Sequence, residues 1–256
     1  MCMSAEMSFA ASATLAVVGG ACLWRARAPG ERILATMPLL FALQQAAEGW
    51  LWLTRTSPGT FLAEPLTEPL AEPLAGIRAG IWADTAGAAG NTALSADLSA
   101  ALPANLPALF FLLFAYVLWP AYAPYCLHRA EGPTTRIRAA LFWSARTVGL
   151  ATGLFFLWRL PTSEAAVAVV GNSLQYQLSY PWWLAAHMAY GYATLCPAFY
   201  SRARSMHLFG VLLVVGHLTA LYAYRATYPS VFCLFAALAS LTLWLRIRFG
   251  ARASAA

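Results

Sequence analysis

Residues 102–126 read LPANLPALFFLLFAYVLWPAYAPYC, twenty-five residues without one charged side chain. A helix rises about 1.5 Å per residue and needs about 20 apolar residues to cross the hydrocarbon core of a bilayer. This stretch meets that length with room to spare. Lipid offers no partner to an exposed backbone N–H or C=O, so a continuous helix is the structure such a segment can adopt at membrane depth.

Outward from this segment, six more stretches of similar character predict helices over 8–24, 33–53, 139–159, 181–200, 207–224 and 229–246. The composition agrees: 61% of the chain is hydrophobic and 10% charged. A soluble domain has about 45–50% apolar and about 25% charged residues, so too little charge remains here to cover a globule in water. The expectation is an all-α polytopic membrane protein, a single seven-helix domain over 1–256. An ordinary cytoplasmic enzyme is excluded on the same grounds.

The charges then set the threading. All 16 basic residues are arginine; lysine is absent, which excludes a lysine-linked Schiff base to retinal or pyridoxal. Arg25, Arg27, Arg32, Arg129, Arg136, Arg138, Arg202, Arg204, Arg246, Arg248 and Arg252 fall on one side of the predicted spans, with only Glu31 and Glu131 beside them. Arg55, Arg78, Arg159 and Arg225 fall on the other, among Glu6, Glu64, Glu68, Glu72, Asp84, Asp97 and Glu164. Cytoplasmic loops carry the excess of positive charge, so the N-terminus is expected outside and the C-terminus in the cytoplasm of a bacterial inner membrane. The net charge of +6 is thereby a topology signal. Membrane lipids are the expected surroundings, and no nucleic-acid partner is expected. The first segment lacks a positive residue ahead of its apolar run and reads as a retained span, not a cleaved signal.

Between the second and third spans, residues 54–101 form an extracytoplasmic loop rich in Pro, Ala and Gly. Its centre repeats every fourth residue: Glu64-Pro65-Leu66, Glu68-Pro69-Leu70, Glu72-Pro73-Leu74. Proline at that interval predicts an extended spacer. The loop is too short and too apolar for a catalytic domain, so any chemistry belongs to the bundle or its rims. The five cysteines show no CxxC or CxxCH spacing, and no HExxH, HxxxH, GxSxG or glycine-rich phosphate loop occurs. No metal and no cofactor are expected on these grounds.

Ionisable side chains at membrane depth are costly and mark cavities or partners. Glu48 and Arg146 are the two that stand out. Gln45 precedes Glu48 by three residues and shares its helix face. At helical rise Glu48 lies about 7–8 Å, and His187 about 9 Å, below the outer edge of their spans. His187, Tyr190 and Thr194 recur at i, i+3, i+7, and His217 and Tyr224 at i, i+7. The expectation is an outward-facing polar pocket of Glu48, Gln45, His187, Tyr190 and Tyr224 with His217 deeper, or a buried hydrogen-bond network that fixes helix register. Arg146 either snorkels to the cytoplasmic headgroups or turns inward, the direction favoured by Gly149 and Gly153 on its face. Pro120, Pro124 and Pro197 predict kinks or early helix ends. Trp50, Trp52, Trp182 and Trp183 at the outer rim, with Trp244 at the inner, predict an interfacial aromatic belt.

The residues also resemble a family. Met1-Cys2-Met3-Ser4 with Ser8-Phe9, Gln45-x-x-Glu48-Gly49-x-x-Trp52, Ala115-Tyr116-x-x-Trp119-Pro120-x-x-x-Pro124, Phe209-Gly210 and Tyr228-x-Ser230-Val231-Phe232-Cys233 are similar to an uncharacterised bacterial multi-pass family that begins Met-Cys-Phe-Ser. Met3 departs from its phenylalanine. The resemblance implies a seven-helix membrane fold and supplies no activity.

Three functions remain open at this point: a bundle that binds a small or lipidic molecule in the outward pocket, a lipid-modifying enzyme with Glu48 and His187 as an acid–base pair, and an accessory or structural subunit with a membrane-complex partner.

Overall fold

In a computed structural model of the protein, residues 4–55, 106–160, 166–170, 173–177, 182–224 and 227–253 are described. The Glu-Pro-Leu repeat and most of the predicted 54–101 loop lie outside them, as do Met1–Met3, Glu164 and Arg225.

The helices are α1 (Ala5–Arg25), α2 (Pro29–Arg55), α3 (Leu106–Glu131), α4 (Arg136–Arg159), α5 (Trp183–Leu195), α6 (Pro197–Tyr200), α7 (Arg204–Ala223), α8 (Tyr228–Ser240) and α9 (Leu243–Ala253). Each predicted span falls on one of these or on a pair, to within a few residues. Ser4 starts α1 by accepting from the Met7 N–H at 3.3 Å, and Thr135 starts α4 by accepting from Arg138 N–H at 3.5 Å. Such hydroxyls satisfy amides that have no intrahelical acceptor.

Five helical stretches are long and apolar enough to cross a membrane: Ala5–Arg25, Leu106–Glu131, Arg136–Arg159, Arg204–Ala223 and Tyr228–Arg248, the last running from α8 into α9. Two predicted spans fall short of that standard. In α2, Glu31, Arg32, Gln44, Gln45 and Glu48 dilute an otherwise apolar helix of 27 residues. The 181–200 span is broken: α5 ends at Leu195 after 13 residues, and α6 restarts at Pro197, whose ring and missing N–H interrupt the ladder. The all-α expectation also needs amending. Ala166–Val170 (β1) and Ser173–Gln177 (β2) pair antiparallel, Ala166 opposite Gln177 and Val170 opposite Ser173. This short hairpin joins α4 to α5.

The outer faces of the helices are apolar. Leu150, Leu154, Leu157 and Trp158 on α4, Met188 on α5 and Val211 and Val215 on α7 are all exposed. A water-soluble monomer rarely displays such a girdle, whereas lipid accepts it.

One end of the bundle gathers the arginines. Its turns are tied together: Glu131 accepts from Ser201 Oγ at 2.5 Å and from Arg202 N–H at 2.7 Å, the Gly30 backbone sits against the Arg129 carbonyl, and the Arg25 guanidinium lies 5.9 Å from the Trp244 ring. Glu31 accepts from the N–H groups of Arg27 and Ala28 at 3.1 and 3.3 Å. Both acids of this end therefore serve as loop caps. The opposite end carries the hairpin, where Tyr176 stacks on Phe111 with centroids 4.6 Å apart, inside a core of Leu51, Leu112, Phe156 and Leu174.

At the centre, α3 bends to its prolines. Leu113–Leu118 winds as a π-helix, with Trp119 N–H bonded to Phe114 O. The carbonyl of Ala115 thus loses its α-helical donor, Trp119, and the next residue along, Pro120, has no N–H to offer. Tyr190 OH on α5 donates to that carbonyl at 2.8 Å. Pro124 likewise deprives the Pro120 carbonyl of its donor, and Gly149 of α4 packs directly on it. Gly153 lies one turn on, where an added Cβ would come 2.7 Å from Val117 O. The small face predicted on α4 is a close helix–helix seam.

Gly149→Val should therefore destabilise the protein by about 1–3 kcal/mol or more, as overpacking against backbone does. Gly20→Ala is the control: nothing surrounds that position, and the exchange should be neutral or slightly stabilising. Thermal unfolding of both in nanodiscs checks the contrast.

Candidate functional site

Helix α2 turns its polar residues inward. Gln44, Gln45 and Glu48 are each completely buried. Gln45 Nε2 donates to Glu48 Oε2 at 3.2 Å, the i, i+3 pairing that the spacing predicts. The second donor to the carboxylate comes from a distant part of the chain: Ser230 Oγ forms a short hydrogen bond to Glu48 Oε1. Ser230 stands in the first turn of α8, directly after Pro229, which suits a helix start because its missing N–H needs no partner there.

One helical turn further along α8, Cys233 continues the same seam. Gln44 Nε2 donates to Cys233 Sγ at 3.2 Å, and Gln44 Oε1 accepts from Trp119 Nε1 at 2.7 Å. Gln44 alone thereby straps α2 to both α3 and α8. The indole of Trp119 also stacks on Phe41 with centroids 3.8 Å apart.

The hairpin closes this cluster from the other side. Tyr176 is 6% exposed, and burial first, then the charge of Glu48, holds its phenol above the ordinary tyrosine range. The hydroxyl keeps its proton. Neither this hydroxyl nor Gln45 Oε1 has a hydrogen-bond partner among the described residues. Buried polar atoms are nearly always paired, so Gln45 Oε1, on the amide that donates to Glu48, and the Tyr176 hydroxyl, on the strand packed against α8, mark the locus.

The other predicted site residues lie close by in a separate arrangement. Tyr228 OH is 2.8 Å from His217 Nδ1, and the Tyr228 ring is 6.1 Å from that of His187. His187 Nδ1 is 3.1 Å from the Trp183 carbonyl, the bond that a helical side chain makes to the turn before it. Tyr190 is committed to the Ala115 carbonyl. Tyr224 caps α7, its N–H bonded to Ala220 O at 3.2 Å, with a half-buried side chain against the hairpin-end core. The structure thus unites Gln45 with Glu48 and, through Tyr228, brings His187 near His217. Histidine is not among the hydrogen-bond partners of Glu48, which are Gln45 and Ser230.

Arg146 stands apart. Its Nη1 is 3.3 Å from His128 Nδ1, and its guanidinium lies 4.1 Å from the Trp143 ring and 5.2 Å from Tyr125. It packs on an aromatic shelf between α3 and α4. Trp52, read as interfacial from its position, is 5% exposed and belongs to the core, whereas Trp50 and Trp182 are outward.

Beside the Gln44 strap lies an apolar cleft of about 380 Å³, counting its open side, walled by Met37, Phe41, Trp119, Tyr190, Phe209 and Phe232 among others. At its centre there is room for about one water. Trp119 and Cys233, the two partners of Gln44, connect it to the polar residues. Helices α5 and α7, which flank it, scarcely touch.

Fold and site together define a helical bundle of membrane-spanning character with a buried polar cluster at one junction of its helices. The chain belongs to the family of unknown function DUF6629, which it matches over residues 77–256. That range includes Trp119-Pro120 and Tyr228-x-Ser230-Val231-Phe232-Cys233. No curated protein and no solved structure matches it.

Gln44, Trp119, Tyr176, Tyr228, Ser230 and Cys233 are absent from the site predicted from sequence. A serine and a cysteine in an apolar run read as small filler, and the pairing of α2 with α8 is not encoded in any spacing. Gln44→Leu leaves the Trp119 N–H without its acceptor and should cost about 1–3 kcal/mol of stability. Thermal unfolding, with Gln44→Glu as a comparison that retains an acceptor, measures it.

Proposed function

We propose that the protein crosses the bacterial inner membrane seven times, N-terminus outside and C-terminus in the cytoplasm, and binds a small lipidic molecule. The polar end of that molecule meets the Glu48 cluster and its chain enters the adjoining cleft. The observation that carries this reading is the junction itself: a narrow apolar cleft shares Trp119 and Cys233 with the seam that leads from Gln44 to Glu48. A slot this narrow suits a methylene chain better than a fused ring system. Ligand sites combine apolar walls with a few placed polar groups, and this junction has that composition.

The seven-span threading draws on the same features. The arginine-rich turns collect at one end, as the positive-inside rule demands of a cytoplasmic face. Helix α2 is polar along the face it buries, which lets it cross within protein although its mean composition is not that of a lipid-facing helix.

Native mass spectrometry from native-lipid nanodiscs tests the binding. The wild type should release a discrete bound mass, and Glu48→Gln should reduce its occupancy roughly tenfold, the cost of one charge-assisted hydrogen bond. Ala236→Phe, which fills the cleft wall, should displace it altogether. Bare protein in all three, equally folded, would remove the lipid reading. For the threading, a fluorescent protein fused to the C-terminus should mature in the cytoplasm, and alkaline phosphatase inserted at residue 80 should be active.

A further inference from the structure

The Glu48 cluster has unmatched charge and unmatched oxygens at one place. The carboxylate is fully buried, and its two partners, the Gln45 amide and the Ser230 hydroxyl, are neutral. Among the described residues no arginine or histidine touches it. Arg146, the other ionisable group at depth, is engaged with His128, Trp143 and Tyr125 between α3 and α4. A carboxylate withdrawn from water with no counter-charge costs several kcal/mol, so the folded protein needs one unit of positive charge here.

A proton would supply it but would leave the remaining oxygens as they are. Gln45 Oε1 is buried without a donor, and so is the hydroxyl of Tyr176. Both carboxylate oxygens, Gln45 Oε1 and Ser230 Oγ gather where α2 meets α8, and β2, which carries Tyr176, packs against α8. Hard cations select oxygen donors, whereas the soft or borderline metals favour sulfur and imidazole; the Cys233 sulfur, one turn from Ser230, is taken by the Gln44 amide. One carboxylate balances one positive charge; a divalent ion would leave a net charge buried.

We propose that Glu48, Gln45, Ser230 and Tyr176 form a binding site for a single small alkali cation, with Na+ the preferred occupant. This deepens the proposed function by naming what neutralises the polar end of that site, and it rests on the reading that the cluster lies at membrane depth. An ion shared by three elements of the fold couples the α2–α8 seam to the hairpin, so occupancy should be felt as stability of the whole bundle.

The full-length protein in phosphatidylcholine nanodiscs, in choline chloride, is titrated with NaCl at constant ionic strength and its unfolding temperature followed. A saturable rise with Na+ is expected, smaller or absent with K+. Tyr176→Phe, which removes one oxygen and no volume, should shift the Na+ midpoint roughly tenfold upward, and Glu48→Gln should abolish the response. Identical unfolding temperatures of the wild type in Na+, K+ and choline would overturn the proposal. So would a response to pH alone, which identifies a proton as the occupant. The wild-type titration and Tyr176→Phe decide the matter even where Glu48→Gln fails to fold. A lipid mass retained in Na+-free buffer, with no Na+ response, would remove the cation and keep the lipid reading; a Na+ response with no bound lipid would do the reverse.

Discussion

Two prolines in α3 set the terms on which the rest of the bundle packs. Pro120 and Pro124 each withhold an N–H from a carbonyl earlier in the helix, and in a layer without water those carbonyls must be met by protein. The Ala115 carbonyl takes the hydroxyl of Tyr190 and so fixes α5. The Pro120 carbonyl lies against the bare face of Gly149, where no larger side chain fits, and so holds α4 close. With α4 and α5 anchored to α3, Trp119 faces Gln44, and α2 is held by a hydrogen bond of 2.7 Å. The π-helical turn at Leu113–Leu118 is what lets one helix present both freed carbonyls without breaking.

The polar side chains follow the same logic. Glutamine on α2 has two functional ends, one donor and one acceptor, and Gln44 uses both to join helices that are 75 and 189 residues away in sequence. Ser230 donates to Glu48, and one turn on Cys233 accepts from Gln44. The seam between α2 and α8 is therefore a ladder of side-chain bonds inside an apolar bundle, where each rung is hard to exchange for water and so specifies register as well as stability.

Much of this was legible before the structure. Helix positions came from apolar length, the Gln45–Glu48 pair from its i, i+3 spacing, and a helix-packing face on α4 from Gly149 and Gly153, though not that α3 fills it. What was not legible depends on contacts between distant segments. The hairpin over Ala166–Gln177 reads in sequence as a short polar interval among alanines and valines, too brief for periodicity to separate strand from turn. Depth arithmetic put His187 level with Glu48, but height along a helix says nothing of azimuth, and the His187 ring lies 6.1 Å from that of Tyr228. Length alone also overcounted the segments that meet a lipid-facing standard, because α2 buries its polar face in protein and α5 stops at a proline.

The hairpin has a consequence for the currency in which affinity is reckoned. Leu174 and Tyr176 fill the bundle's hairpin end, while the cleft is walled by Tyr190 and Thr194 of α5 and by Phe209 and Leu213 of α7, two helices that scarcely touch. On the proposed reading, a molecule that enters between these helices comes out of the bilayer, so its concentration is a mole fraction among lipids and not a molarity in water. Two compounds of equal fit would then differ in occupancy by the ratio of their partition coefficients, and a more oil-soluble one would look tighter without making a single better contact.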